Sequence, residues 1–166
     1  LGFGPILVSA VLMITAPIPD ILITRDGRDI GIANEAERLL VLHDREGGYA
    51  QDNLLELAGT DQSPIEIVDW PRSRCSDQFC VFTLDRGGRP WSVLVARNRD
   101  LLEERALAAA CMRADIVIAD RYLPYSCQPR WLKADRRFLD REGGASIYLA
   151  DQRIDTVAQD QGEHGW

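Results

Sequence analysis

Histidine is nearly missing from this chain: there are two, His43 and His164, far apart and outside any motif. Hydrolytic zinc sites need clustered His and Asp ligands, so the ordinary form of that chemistry is excluded. A serine nucleophile needs a base and an oxyanion turn, and no G-x-S-x-G offers one. There is no phosphate loop and no G-x-G-x-x-G. Gly27, Gly47-Gly48, Gly87-Gly88 and Gly143-Gly144 all fall where turns are required anyway. Positive charge is also scarce, with 19 basic against 26 acidic residues and a net charge of −7. Such a surface repels phosphates and argues against tight nonspecific DNA or RNA binding by the chain as a whole. One local exception is the basic group Arg130, Lys133, Arg136 and Arg137. No repeat or low-complexity tract occurs, no recognisable active site emerges, and no cofactor is expected.

What is present is enough apolar content, 46% over 166 residues, to bury one ordinary core. Leu1 to Ala16 carries no charge. As a helix it rises about 24 Å, short of the roughly 30 Å hydrocarbon layer. It lacks a basic leader and an initiator Met, so it does not read as a signal peptide. It reads instead as the end of a transmembrane helix stopped by Pro17 and Pro19, with a buried core helix as the alternative. The expected layout is 1–17 as that helix end, 18–158 as a soluble α/β domain, and 159–166 as a polar, frayed tail.

Within the domain, Asp20–Thr24, Asp29–Ala33 and Arg38–Leu42 read as a three-stranded meander whose first turn holds Asp26-Gly27, a strong hairpin signal. Tyr49–Ala58 has helical spacing with Gly59 as its stop. Ile65–Val68 reads as a short strand. Phe79–Leu84 and Trp91–Ala96 read as strands joined by a hairpin loop over Asp85–Pro90. Leu101–Arg113 predicts a helix capped by Asn98 or Asp100, with Leu101, Leu102, Ala108 and Met112 facing inward. Ile116–Ala119 predicts a fully buried strand. Arg130–Glu142 reads as an amphipathic helix ended by Gly143-Gly144. Ala145–Leu149 and Arg153–Val157 predict a closing hairpin.

Four cysteines, Cys75, Cys80, Cys111 and Cys127, point to two disulfides and an oxidising compartment, although sequence does not give connectivity. Cys75 with Cys80 would clip one loop, and Cys111 with Cys127 would tie a helix end to the following loop. A four-thiolate zinc site or buried free thiols are the rivals; zinc knuckles space C-x2-4-C, which Cys75–Cys80 meets only at its upper limit and Cys111–Cys127 does not meet. Polar residues just past strand ends are where α/β domains place their sites. Asp115 and Asp120 flank the buried strand, and Arg121, Arg130, Trp131 and Lys133 lie in the loop behind it. They are the candidate vestigial or binding loop. The plainer reading is that the aspartates cap strand and loop, and that Trp131 packs on its own loop instead of stacking on a nucleic-acid base.

Several stretches together resemble the C-terminal region of ComEC-type competence proteins of alphaproteobacteria. They are Pro19-Asp20-Ile21-Leu22-Ile23 with Asp26-Gly27-Arg28, the Arg74-Cys75-Ser76-x-x-x-Cys80 loop, and Cys111-x-x-Ala114-Asp115-Ile116-Val117. Asp120-Arg121-x-Leu123-Pro124-x-x-Cys127-x-Pro129-Arg130-Trp131-Leu132-Lys133 and the closing His164-Gly165-Trp166 complete the set.

The resemblance implies a polytopic inner-membrane channel protein that imports one strand of transforming DNA. Its C-terminal domain would be a metallo-β-lactamase-like sandwich of mostly antiparallel strands with flanking helices, in mixed α+β class. The metal-binding histidine cluster of active members is missing, so no catalytic or metal residue carries over and the fold would be a degenerate one. The implied product is a non-catalytic, periplasmic domain whose partner is the rest of its channel, with DNA-uptake proteins and transported DNA as further candidates. One alternative is a metal-dependent hydrolase or nuclease using Asp20, Asp26, Asp115, Asp120 and cysteines. Another is an unrelated membrane-tethered binding module.

Overall fold

Runs of alternating apolar residues and short turns dictate two sheets. The computed structural model describes residues 17–33, 38–42, 48–58, 60, 62–100 and 102–161. The apolar run 1–16, His43, Gly59, Leu101 and His164 lie outside the described residues. Among the described residues no helix is long and apolar enough to cross a membrane.

The chain opens with β1 (Ile21–Ile23), β2 (Ile30–Ala33) and β3 (Leu39–Val41), paired antiparallel in the expected meander. Helix α1 (Tyr49–Leu57) follows, then β4 (Ile65–Glu66) and a 3-10 turn, Ile67–Asp69. Next come β5 (Arg74–Cys75), β6 (Phe79–Arg86) and β7 (Arg89–Ala96). Helix α2 (Glu104–Arg113), β8 (Ile116–Ile118), β9 (Leu132–Ala134) and α3 (Arg136–Glu142) lead to the β10 (Ala145–Tyr148) and β11 (Arg153–Thr156) hairpin and α4 (Val157–Gln161).

One sheet has six strands in the order β11-β10-β1-β2-β3-β4, and the other has five in the order β5-β6-β7-β8-β9. Period-two burial aims Ile21, Ile23, Ile30 and Ile32 from the first at Phe82, Leu84, Trp91, Val93, Ile116 and Ile118 from the second. The outer faces are covered by helices. Leu54 of α1 packs on Leu22, Leu39 and Val41, while Leu107 and Cys111 of α2 pack on Leu94, Ala96 and Val117. The fold is therefore a mixed α/β sandwich: helix, sheet, sheet, helix.

β7, β8 and β9 run parallel. Parallel neighbours need a crossover connection, usually a helix. α2 serves for β7 to β8, but between β8 and β9 the crossover is a loop. It is held to the sheet by Leu123 and Cys127, both buried in the α2-side cluster.

Several expectations change. Arg130–Glu142 is not one helix: Leu132–Ala134 pairs with β8 as a strand, and the helix starts at Arg136 because buried Asp135 caps it. Asp135 Oδ1 accepts both capping bonds, from the N–H groups of Arg137 and Phe138. Neither Asn98 nor Asp100 caps α2. Glu103 does, accepting from the N–H groups of Arg105 and Ala106. Met112 faces solvent, and Leu107 and Cys111 take the inward positions. The loop expected over Asp85–Pro90 shrinks to Gly87-Gly88, both at positive φ, so that Arg86 pairs with Arg89 and Pro90 lies inside β7. The start of the expected tail is helical in α4.

Candidate functional site

The parallel register of β8 and β9 sets Ile116 beside Leu132 and Val117 beside Lys133. It therefore divides the sequence-predicted loop residues among three places. Asp115, Arg130 and Trp131 lie at the start of the two strands. Asp120 and Arg121 lie beyond the far end of β8. Lys133 shares the register position of outward-packed Val117, where its Nζ is 3.5 Å from the Pro124 carbonyl and 5.9 Å from the Tyr125 ring.

At the strand start, Asp115 is buried and bound on several sides. Its Oδ2 accepts the Ser92 N–H at 2.8 Å, and its Oδ1 lies 3.7 Å from Arg89 and 3.5 Å from Arg130. Its carbonyl accepts the N–H groups of Trp131 and Leu132, both at 3.0 Å. This carboxylate staples three neighbouring strands. Trp131 packs against the core, its ring 4.9 Å from that of Trp91, and Arg89 lies 3.5 Å over the Trp91 ring.

At the other end, Asp120 Oδ2 is 2.8 Å from Arg99 Nε and 3.8 Å from Arg28 Nε. The β1–β2 turn is seated directly against it: a Cβ on Gly27, whose φ is +69°, would meet the Asp120 Cα at 3.2 Å and Leu139 Cδ1 at 2.6 Å. Arg136 Nη1 reaches the Asp26 carbonyl at 3.4 Å, and its Nε pairs with Asp140 at 2.9 Å. Arg121 donates through Nη1 to the Asp100 carbonyl, while its Nη2 is buried without a hydrogen-bond partner. Burial lowers its pKa, against the pull of Asp120 and Asp100.

These residues do not fit a metal. Asp20 is committed to Arg86 and to the Leu149 N–H, Asp115 lies at the opposite end of β8 from Asp120, and Asp26 Oδ1 accepts from Thr24 and the Arg28 N–H. All four cysteines are oxidised, as Cys75–Cys80 and Cys111–Cys127. Among the described residues no three His, Cys, Asp or Glu side chains are gathered closely enough to hold an ion. The ligand set imagined for a metal-dependent hydrolase is dispersed.

Two features escaped the sequence reading. Tyr122 and Tyr125 stand 60% and 79% exposed on the crossover loop, with the Arg137 guanidinium 5.4 and 5.1 Å from their ring centroids. The Y-x-x-Y spacing beside Pro124 is the signal for them in the sequence. The second is a groove of about 890 Å³ on the outer face of the six-stranded sheet, between α1 and α4, lined by Leu22, Tyr49, Leu54, Leu57, Gly144 and Val157. It lies away from the predicted site, and the strand-end chemistry is the better guide to function because charged groups converge there. Compared with protein-family models, curated proteins and solved structures, the chain matches none.

Proposed function

We propose that this chain is a non-catalytic, extracytoplasmic domain of a ComEC-like membrane protein that imports transforming DNA. The observation that carries the reading is the ordered set of sequence resemblances running from Pro19 to Trp166, densest over Asp120–Lys133. Two further features support it. The helix, sheet, sheet, helix layering agrees with the degenerate metallo-β-lactamase-like sandwich the resemblance implies. Two disulfides agree with an oxidising compartment such as the periplasm.

On this reading the strand end that carries metal ligands in active relatives is rebuilt here around arginines. Asp120 is occupied by Arg99 and Arg28, which supports a domain that contributes surface and positioning beside the channel. The partners are the remainder of its own channel and the DNA-uptake machinery.

The test is DNA internalisation by cells whose full-length protein lacks only residues 19–166, with membrane insertion of the remainder verified. Uptake is expected to fail although the channel is inserted. Unchanged uptake overturns the reading.

A further inference from the structure

We infer that the crossover loop and the start of α3 form a binding surface for single-stranded nucleic acid. The Tyr122 and Tyr125 rings are its stacking faces, and Arg99, Arg121, Lys133 and Arg137 are its phosphate contacts. The inference rests on the DNA-import reading for the source of the strand and deepens it by placing the contact.

Three observations carry it. First, two neighbouring aromatic rings are left 60% and 79% exposed although each has apolar area to bury, and a guanidinium lies close to both. Such rings accept any base, because every base offers a π-face. Second, a cavity of about 240 Å³ opens beside Tyr122 against the first turns of α2, and Arg99 and Arg121 line it. The Asp120 carboxylate and the Asp100 carbonyl fix these two guanidinium groups at its rim. Third, Ala119–Arg141 holds six basic residues against three acidic ones, in a chain whose net charge is −7. Of these, Arg121, Lys133 and Arg137 lie around the crossover loop, whereas Arg130 pairs with Asp115 at the far end of β8.

A duplex does not fit the same logic, since its bases are already stacked and cannot reach the rings. An anionic lipid surface could use the same arginines and tyrosine rings, so vesicle binding is one arm of the test.

The experiment is fluorescence anisotropy of a labelled oligothymidylate against the full 166-residue chain, oxidised and held in nonionic detergent. Binding is expected, with log affinity falling against log salt at a slope of about −2 to −3 for three or four phosphates. Tyr122→Ala with Tyr125→Ala should weaken binding at least about tenfold, from two lost stacking faces. Tyr122→Phe with Tyr125→Phe should hold the affinity within about twofold, because the rings remain and only the Tyr122 hydroxyl bond to Asp140 is lost.

No binding at about 50 mM salt overturns the inference. So does an alanine pair that binds as tightly as the parent, or a phenylalanine pair that loses as much as the alanine pair. Binding to phosphatidylglycerol vesicles without binding to the oligonucleotide overturns it in favour of a lipid. These outcomes are separate from those of the deletion strain. Absent strand binding removes this surface whether or not the deletion blocks uptake, and unchanged uptake removes the import reading while measured binding stands.

Discussion

Asp20 and Arg86 join the two sheets at one corner, with Arg86 Nε 2.6 Å from Asp20 Oδ1 across 66 residues of sequence. The second carboxylate oxygen accepts the Leu149 N–H at 2.8 Å, and Arg86 Nη2 donates to the Ala33 carbonyl at 2.9 Å. Both side chains are largely shielded, so water does not readily replace these partners. Asp20→Ala leaves a guanidinium and a backbone N–H without an acceptor and should cost about 2–3 kcal/mol in urea unfolding. A double-mutant cycle with Arg86→Ala should give a coupling of about 1–2 kcal/mol. A coupling near zero would reduce the pair to an ordinary surface contact.

The two disulfides should differ in their effect on stability. Cys111–Cys127 closes a separation of 16 residues, and Cys75–Cys80 one of 5. Loop-closure entropy then assigns about 3 kcal/mol to the first and about 2 kcal/mol to the second. Unfolding of Cys111→Ala/Cys127→Ala and Cys75→Ala/Cys80→Ala pairs measures each. The reverse ranking would show that packing, and not chain closure, sets their value.

Asp135 is 2% exposed, and three backbone N–H groups depend on it: Arg137 and Phe138 on Oδ1, Leu123 on Oδ2. Asp135→Ala removes the α3 cap and strands the buried Leu123 donor, for an expected loss of about 3 kcal/mol. Asp135→Asn, which keeps one acceptor oxygen, should lose about half as much. Equal losses in urea unfolding would mean that charge, not hydrogen bonding, is what the site requires.

Glu142 gives a pH dependence with a definite sign. The Arg141 hydrogen bond lowers its pKa from the ordinary value of 4.5, opposed by burial and helped by the Thr156 hydroxyl. A depressed carboxylate adds stability above the unfolded-state pKa and loses it as pH falls through the folded-state value. Melting temperature should therefore drop below about pH 4.5, and Glu142→Gln should make that drop smaller. An identical acid limb in the variant would exclude Glu142 as a contributor.

Local signals carried much of the fold. The Asp26-Gly27 turn, the alternation of Phe82 and Leu84, and the apolar Ile116–Ile118 run each specify structure within a few residues. Leu132–Ala134 did not, because three residues next to an amphipathic helix look like its first turn. Only pairing with β8 makes them a strand. The candidate loop failed as a single site for the same reason. Parallel register sets Arg130 and Trp131 beside Asp115 and away from Asp120 and Arg121, a division that sequence proximity conceals. Met112 is exposed and not inward, because Leu107 and Cys111, one turn apart, set the face of α2 that meets the sheet.

The Cys75–Cys80 bond also has a consequence for self-association. β5 covers β6 only at Cys80 and Val81, so the stretch from Phe82 to Asp85 has no β-strand neighbour on that side. What shields it is the segment leading into β5. Trp70 meets the Phe82 ring edge-on at 5.8 Å, and Arg72 holds Asp85 at 2.9 Å. The disulfide anchors the end of that segment across the directly opposed Cys75 and Cys80 positions. Reduction removes that anchor and should make the edge easier to bare, and an open edge is the template on which a second chain adds a strand. The expected consequence is that a reducing environment favours edge-to-edge association of this domain, which light scattering with and without reductant would show.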